Sequence, residues 1–221
     1  MKISKYLHSC LLFEQDGYKM LFDPAKFSFA EGRVKADMFT DINSIVITHI
    51  HPDHYDAEIL KSIIALNTDA VVYTNKQVGG QMEKDGIEYK LINNDEFILG
   101  PFSLKPLSLT HEPLLDNPKP EMTGFVINGK VLHPVDALSN EMAGYKGIEL
   151  LLLVTMAPFA NEVKIAAFAD SIQPKQILPV HDGYARDFFI KQRYANYKKH
   201  FEKQGITFHE VLEIGDGITL E

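Results

Sequence analysis

Short apolar runs alternate along the chain with stretches whose apolar residues recur at helical spacing. Residues 44–48 form an apolar, β-branched run that predicts a buried strand, and residues 55–66 have the periodicity of an amphipathic helix. Residues 70–74 predict the next buried strand, and residues 75–85 a short helix that Gly79-Gly80 interrupts. This strand–helix–strand order is typical of a crossover unit within one sheet.

Turn signals divide the neighbouring segments into strands. Asp16-Gly17 separates two apolar runs into a predicted hairpin, and Asn128-Gly129 does the same further along. Residues 88–92, 96–99 and 102–107 have the pattern of successive strands, which we expect in a second sheet.

The last third of the chain repeats the alternation of strand and helix. Residues 150–154 and 176–180 predict buried strands, and residues 161–172 a helix with Asn161 as its N-cap. A long helix is predicted at residues 183–204, with four aromatic side chains expected in the core. They are Phe188, Phe189, Tyr194 and Tyr197. One or two closing strands are expected within residues 207–221, and a loop over residues 26–41.

The composition is that of an ordinary globular protein. The 221 residues are 45% hydrophobic and 24% charged, no linker interrupts them, and we expect a single domain over residues 1–221. No run has transmembrane length and no signal peptide is evident. Cys10 is the one cysteine, which suits a reducing compartment and predicts a cytoplasmic protein. The net charge of −8 disfavours nucleic acid and favours a small-molecule substrate.

Candidate chemistry is concentrated in the segment that follows the first buried strand. His49-Ile50-His51-Pro52-Asp53-His54 contains three imidazoles and one carboxylate among its six residues. His49 and His51 share one face while the backbone is extended, and Asp53 with His54 turns toward a neighbouring point. Such nitrogen and oxygen ligands suit zinc, manganese or iron, and two ligand pairs predict two metal ions. A polar loop that happens to be rich in histidine is the alternative, and the density of ligands argues against it.

A histidine also follows two later strands. His111 comes directly after residues 107–110, and His181 directly after residues 176–180. A single histidine at such a place is more often an ordinary surface residue. The recurrence of strand followed by histidine indicates that these side chains share one edge of the sheets.

The arrangement His-x-His-x-Asp-His resembles the signature of the metallo-β-lactamase superfamily. His8-Ser9-Cys10 and Leu21-Phe22-Asp23-Pro24 extend the similarity to a branch of small metal-dependent hydrolases, the ascorbate-phosphate lactonase-like proteins. The resemblance implies an α/β fold arranged as a four-layer αββα sandwich. It implies that one metal is bound by His49, His51 and His111, the other by Asp53, His54 and His181, with Asp136 between them.

The resemblance leaves some residues with alternative roles. Asp136 lies where the family has Gly-Asp-Thr or a similar sequence, but here its neighbours are Val135 and Ala137. His133 is therefore the competing ligand, although its place in a strand favours a buried residue. His8 is expected to support the site or to contact substrate.

Two further residues are expected near the site. Asp23 ends its strand before Pro24, and we expect it to support the metal loop rather than to bind metal. Arg186 is expected either to receive an anionic group of the substrate or to form a surface ion pair with Asp182 or Asp187.

The function implied is that of a binuclear metal-dependent hydrolase. A hydroxide shared by two zinc ions, or by manganese or iron, would attack a small, anionic ester, lactone or phosphodiester, with Asp53 and Asp136 as the catalytic carboxylates. One alternative is a diiron redox or oxygen-binding protein. In the diiron flavoproteins a glutamate tends to replace the second histidine of the motif, so the histidine at position 51 counts against it. The other alternative is a non-catalytic metal-binding protein. Covalent catalysis has no support, since the Gly-x-Ser-x-Gly motif is absent and Cys10 lacks a partner base.

Overall fold

The computed structural model describes residues 1–221 and contains two seven-stranded sheets. The strands are β1 (Lys2–Lys5), β2 (Leu11–Gln15), β3 (Tyr18–Phe22), β4 (Ser44–Ile47), β5 (Val71–Thr74), β6 (Lys90–Leu91), β7 (Phe97–Leu99), β8 (Phe102–Thr110), β9 (Glu121–Ile127), β10 (Val131–His133), β11 (Leu150–Val154), β12 (Gln176–Val180), β13 (Thr207–Phe208) and β14 (Gly217–Thr219). The first sheet has the order β14-β1-β2-β3-β4-β5-β6, and the second β13-β12-β11-β10-β9-β8-β7.

Helices cover the outer face of each sheet. They are α1 (Lys26–Phe29), α2 (Ala57–Leu66), α3 (Lys76–Asp85), α4 (Glu162–Ile172) and α5 (Asp187–Glu202), with 3-10 turns at Ala36–Met38 and Asn140–Tyr145. None of them combines the length and the apolar character that crossing a bilayer requires.

Three apolar cores separate the layers. Phe22 of the first sheet and Phe125 of the second meet in the central core, with their ring centroids 5.6 Å apart. Leu60 of α2 packs on the outer face of the first sheet, and Phe168 of α4 on that of the second. The predicted four-layer αββα sandwich is therefore confirmed.

The strand directions bring the candidate ligands to one edge. Strands β3, β4 and β5 are parallel, as are β10, β11 and β12, and β8 runs the same way as β10 because both are antiparallel to β9. The carboxyl ends of parallel strands are where open α/β sheets bind ligands. The segments that follow β3, β4, β8, β10 and β12 carry the predicted site residues.

The structure differs from the sequence prediction at β6. The segment 88–92 was expected in the second sheet, but β6 pairs in parallel with β5 in the first, with Lys90 opposite Tyr73. Gly86 ends α3 in the left-handed conformation (φ 71°), and this turns the chain back alongside β5.

Two helices begin later than predicted. Asp56 caps α2 by accepting hydrogen bonds from the amides of Glu58 and Ile59, so residues 49–55 stay outside the helix. Helix α5 begins at Asp187, and the prediction that Phe188 and Phe189 lie in the core is wrong: they are 66% and 39% exposed. Both lie in the first turn of the helix, whereas Tyr194 and Tyr197 further along it are buried as predicted.

Gly79 does not interrupt α3, which is continuous. A Cβ at this position would lie 2.4 Å from the ring of Tyr89, so a larger residue would displace that ring. The glycine serves close packing rather than a break in the helix.

Candidate metal centre

Two adjacent groups of potential ligands lie at the shared sheet edge. Within each group the ligand atoms lie within 4.8 Å of one another. One group contains His49, His51, His111 and Asp136, and the other His8, Asp53, His54 and His181. The seven residues that the sequence predicts as metal ligands are thus brought together, and His8 joins them.

The first group is built from the end of β4 and the end of β8. Nε2 of His49 lies 3.0 Å from Nδ1 of His51, and the ring centroids of His51 and His111 are 4.7 Å apart. His49 and His111 are buried, whereas His51 is partly open to solvent. The group therefore has a buried side and an accessible side.

The second group centres on the carboxylate of Asp53. Its Oδ2 lies 3.2 Å from Nε2 of His181 and 3.8 Å from Nε2 of His54. His54 and His181 are both buried, and Asp53 lies at the opening.

Asp136 lies between the two groups. Its Oδ2 is 3.3 Å from Nε2 of His111 and 3.5 Å from Nε2 of His54, and its Oδ1 is 3.4 Å from Nε2 of His181. A carboxylate that reaches histidines of both groups has the position that a bridging ligand requires. His133 belongs to neither group.

Hydrogen bonds on the far side of three imidazoles fix their tautomers. Nδ1 of His111 donates to the carbonyl oxygen of Glu112 (2.5 Å), and Nδ1 of His181 to that of Met156 (2.6 Å). Nδ1 of His54 donates to Oδ2 of Asp23 (2.7 Å). Because these oxygens only accept, the proton lies on Nδ1 and the lone pair on Nε2.

These lone pairs are what a metal needs. Nε2 of His54, His111 and His181 and Oδ1 of Asp136 are all buried without a hydrogen-bond partner. Buried polar atoms are seldom left this way, and metal-binding histidines usually donate their other N–H to a carbonyl or carboxylate. The residues present therefore fit two metal ions bound by nitrogen and oxygen.

The electrostatics of the site also favour cations. Burial lowers the pKa of His181, but the carboxylates of Asp136 and Asp53 outweigh it and raise that pKa to about 10. Burial opposes ionisation of Asp136 too, yet His181 and His54 hold its pKa well below the usual range. The carboxylates thus favour positive charge at Nε2 of His181, and a metal ion bound there would supply that charge.

Asp23 supports the metal loop as the sequence predicts. Its Oδ1 accepts from the backbone amide of Thr48 (2.8 Å), and its Oδ2 accepts from the Thr48 hydroxyl (2.7 Å) as well as from His54. Nδ1 of His49 lies 3.2 Å from the same hydroxyl, which can only accept there since its proton points to Asp23. This role of Thr48 is not apparent from the sequence.

His8 is held differently from the other histidines. The backbone amide of Gly183 donates to its Nδ1 (3.1 Å), and burial lowers its pKa to about 4, so the neutral ring carries its proton on Nε2. That Nε2 donates to Oδ2 of Asp53 (3.1 Å). The geometry therefore makes His8 a hydrogen-bond donor to Asp53, with no Nε2 lone pair for a metal.

A buried ion pair holds the backbone of His8. Oδ1 of Asp182 accepts from the amide of His8 (3.2 Å), and its Oδ2 accepts from Nζ of Lys5 (2.7 Å). Tyr194 hydrogen-bonds to both members of this pair. Asp182 is thus occupied by Lys5 rather than by Arg186.

Arg186 lies away from the two ligand groups. It occupies the N-cap position of α5 without a capping hydrogen bond from its side chain, and it lines a neighbouring cavity of about 540 Å³. Asp187 pairs with Arg33 (3.5 Å), so neither predicted surface partner binds Arg186.

Several residues at the site have left-handed backbone conformations. The φ angles are 49° at His8, 43° at Asp23, 53° at Val135 and 66° at His181. For a residue with a side chain this costs about 1–2 kcal/mol, and such strain often occurs at functional sites. The strain is greatest at Val135 because its side chain is β-branched, whereas a glycine would adopt the same φ without strain.

Comparison with known proteins gives the family. The family model described as beta-lactamase superfamily domain matches residues 2–181. A UPF0173 protein from Pyrococcus abyssi is 30% identical over 190 residues, which cover 83% of this chain and 84% of that protein. A UPF0173 metal-dependent hydrolase from Christiangramia forsetii is 27% identical over 243 residues, covering both chains completely.

A solved structure agrees with the fold. The metallo hydrolase Igni18 from Ignicoccus hospitalis has a TM-score of 0.75 at 20% identity, with 100% of this chain and 98% of that chain covered. The matched family model shows that this chain belongs to the β-lactamase superfamily domain family, in agreement with the metallo-β-lactamase superfamily predicted from its His-x-His-x-Asp-His motif.

Proposed function

We propose that this protein is a metal-dependent hydrolase with two metal ions in one centre. The observation that carries the proposal is the set of buried Nε2 lone pairs on His54, His111 and His181, which converge on the carboxylates of Asp53 and Asp136. Relatives named metal-dependent hydrolases support it. We further propose a small-molecule substrate and, given the single buried Cys10, a reducing cytoplasmic environment.

The first metal would be held by His49, His51 and His111, and the second by Asp53, His54 and His181, with Asp136 shared. Zinc is the first choice and manganese or iron the others, since each accepts imidazole and carboxylate ligands. Two such ions supply a water of lowered pKa and a Lewis acid for a carbonyl or phosphoryl oxygen.

The protein's own side chains would orient the attacking water and accept its proton. Asp53 is at the opening, where its carboxylate can orient the attacking water and accept its proton. The hydrogen bond from Nε2 of His8 holds the carboxylate of Asp53 in place. Asp136, between the two ligand groups, sets the distance between them.

Removal and replacement of the metal tests this function. Protein treated with a chelator should lose hydrolysis of a panel of esters, thioesters, lactones and phosphodiesters, and added zinc or manganese should restore it. The lactone is included because of the resemblance to lactonase-like proteins. If untreated and treated protein hydrolyse the panel at the same rate, the metals are not part of the reaction.

A diiron redox protein is the alternative on the same fold. His51 keeps an imidazole among the first group of ligands, which favours the hydrolase. The visible absorption spectrum of purified protein distinguishes the two: a hydrolase with zinc is colourless, and a diiron centre absorbs. A protein that binds metal but hydrolyses no member of the panel would instead agree with a non-catalytic metal-binding role.

Replacing His8 tests its role as a positioning residue. His8→Ala should reduce turnover by about 10- to 100-fold while the protein still binds two zinc ions at saturation, since His8 acts through Asp53. His8→Gln keeps an N–H near the position of Nε2 and should recover part of the turnover. Metal analysis accompanies the rate measurement. Loss of one zinc ion from His8→Ala, as expected for a ligand, would contradict this role.

A further inference from the structure

The two ligand groups open into a cleft whose walls are apolar. The cleft has a volume of about 450 Å³. Beyond the ligands, its walls are formed mainly by Phe27, Leu114, Asn117, Pro158, Phe159 and Tyr184. Asn117 is the one amide among them, and neither lysine nor arginine lines the cleft.

The aromatic walls stand directly against the imidazoles. The ring of Phe159 lies 5.4 Å from that of His111 and 6.0 Å from that of His181, so it spans both ligand groups. Tyr184 lies 6.0 Å from His181 and 5.9 Å from Phe27. A substrate group next to the reacting atom therefore has aromatic rings within reach.

The cationic side chains are in a different cavity. Arg33, Arg186 and Lys191 line the neighbouring 540 Å³ cavity, and Phe27 with Tyr184 line both cavities and stand between them. Asp23, Asp53 and Asp136 offset most of the charge of two divalent ions at the centre itself. An anionic substrate would find few unpaired positive charges in the apolar cleft.

We propose, on the basis of the hydrolase function above, that the substrate is an uncharged ester, thioester or lactone with an aromatic or alkyl group beside the scissile bond. This differs from the anionic substrate expected from the sequence. Transfer of such a group from water to the cleft is favourable, and the rings around the imidazoles supply the contact area. Phosphate monoesters and sugar phosphates are the poorly matched class.

Binding of simple hydroxamates to the zinc-loaded protein tests the substrate class without turnover. A hydroxamate binds zinc through its two oxygens, so acetohydroxamate reports on access to the metals and benzohydroxamate adds one aromatic ring. We expect calorimetry to show benzohydroxamate binding about tenfold or more tighter than acetohydroxamate. Phosphonoacetohydroxamate, which adds an anionic group instead, should show no such gain.

Two variants test whether the preference for benzohydroxamate arises in the cleft. Phe159→Ala should remove most of the preference for benzohydroxamate over acetohydroxamate, and zinc analysis of the variant checks separately that both metals are still bound. Phe188→Ala, at an exposed ring outside the cleft, is the matched control and should keep the full preference.

The outcomes separate this inference from the proposed function. Equal affinity for the two neutral hydroxamates, tighter binding of the phosphonate, or no binding of any of them would overturn the substrate class even if the protein hydrolyses the ester panel. A clear preference for benzohydroxamate in a protein that hydrolyses nothing would support the cleft assignment and count against the hydrolase.

Discussion

Replacing Asp136 by asparagine should reduce hydrolysis by at least about a hundredfold and weaken one metal while the fold survives. Asn keeps the shape of a side chain that is 2% exposed and lies within 3.6 Å of Nε2 of His49, so packing is preserved. The charge is what is lost. Two divalent cations held at one centre would repel each other, and a carboxylate that reaches both ligand groups would offset part of that repulsion. Metal stoichiometry at limiting zinc and turnover are measured together.

His133→Ala is the matched control for Asp136. His133 is buried against Phe22, its two ring nitrogens have no hydrogen-bond partner, and burial lowers its pKa to about 3. Its loss should destabilise the fold by about 1–3 kcal/mol and leave both metals bound. If His133→Ala loses a metal while Asp136→Asn keeps both metals and full activity, the bridging residue has been assigned wrongly.

His111→Ala and His181→Ala should each remove a different one of the two metals. The two side chains belong to separate ligand groups, and each presents an Nε2 lone pair that no other group satisfies. Removing one ligand of three or four leaves its neighbours too few to hold an ion tightly, so each variant should retain one zinc ion per chain and lose most turnover. Zinc analysis after gel filtration gives the stoichiometry.

His200→Ala is the control for nonspecific loss of imidazole. His200 lies on α5, exposed and paired with Asp170 at 2.9 Å, far in the fold from the sheet edge. It should retain both metals and full turnover. A result in which His111→Ala and His181→Ala also retain both metals would mean that neither group is a metal site.

The sequence predicted which residues the structure brings together at the sheet edge, because the candidate ligands are recognised by residue type and spacing. Four potential ligands lie within six residues, at His49, His51, Asp53 and His54. Two more, His111 and His181, each follow directly on an apolar strand. What it could not predict are contacts made by backbone atoms. The carbonyl groups of Glu112 and Met156 that fix two imidazoles carry no signal of residue type.

The role of His8 and the two wrong fold predictions also depend on contacts that the sequence does not show. The donor role of His8 depends on the amide of Gly183, which is distant in sequence. The edge strand β6 has only two residues, so its pattern contains little information about which sheet it joins. Phe188 and Phe189 fit an apolar helix face, but they lie in the first turn of α5 and are exposed. The periodicity of a helix does not show which of its turns pack against the rest of the fold.

The metal content of the purified protein shows directly whether the two ligand groups hold metal. The chain is stripped with chelator, reconstituted with excess zinc, freed of unbound metal by gel filtration and analysed by elemental mass spectrometry. We expect two zinc ions per chain, and none in a variant in which both His111 and His181 are replaced by alanine. Wild-type protein that retains no zinc, or a double variant that retains as much as the wild type, would contradict this expectation.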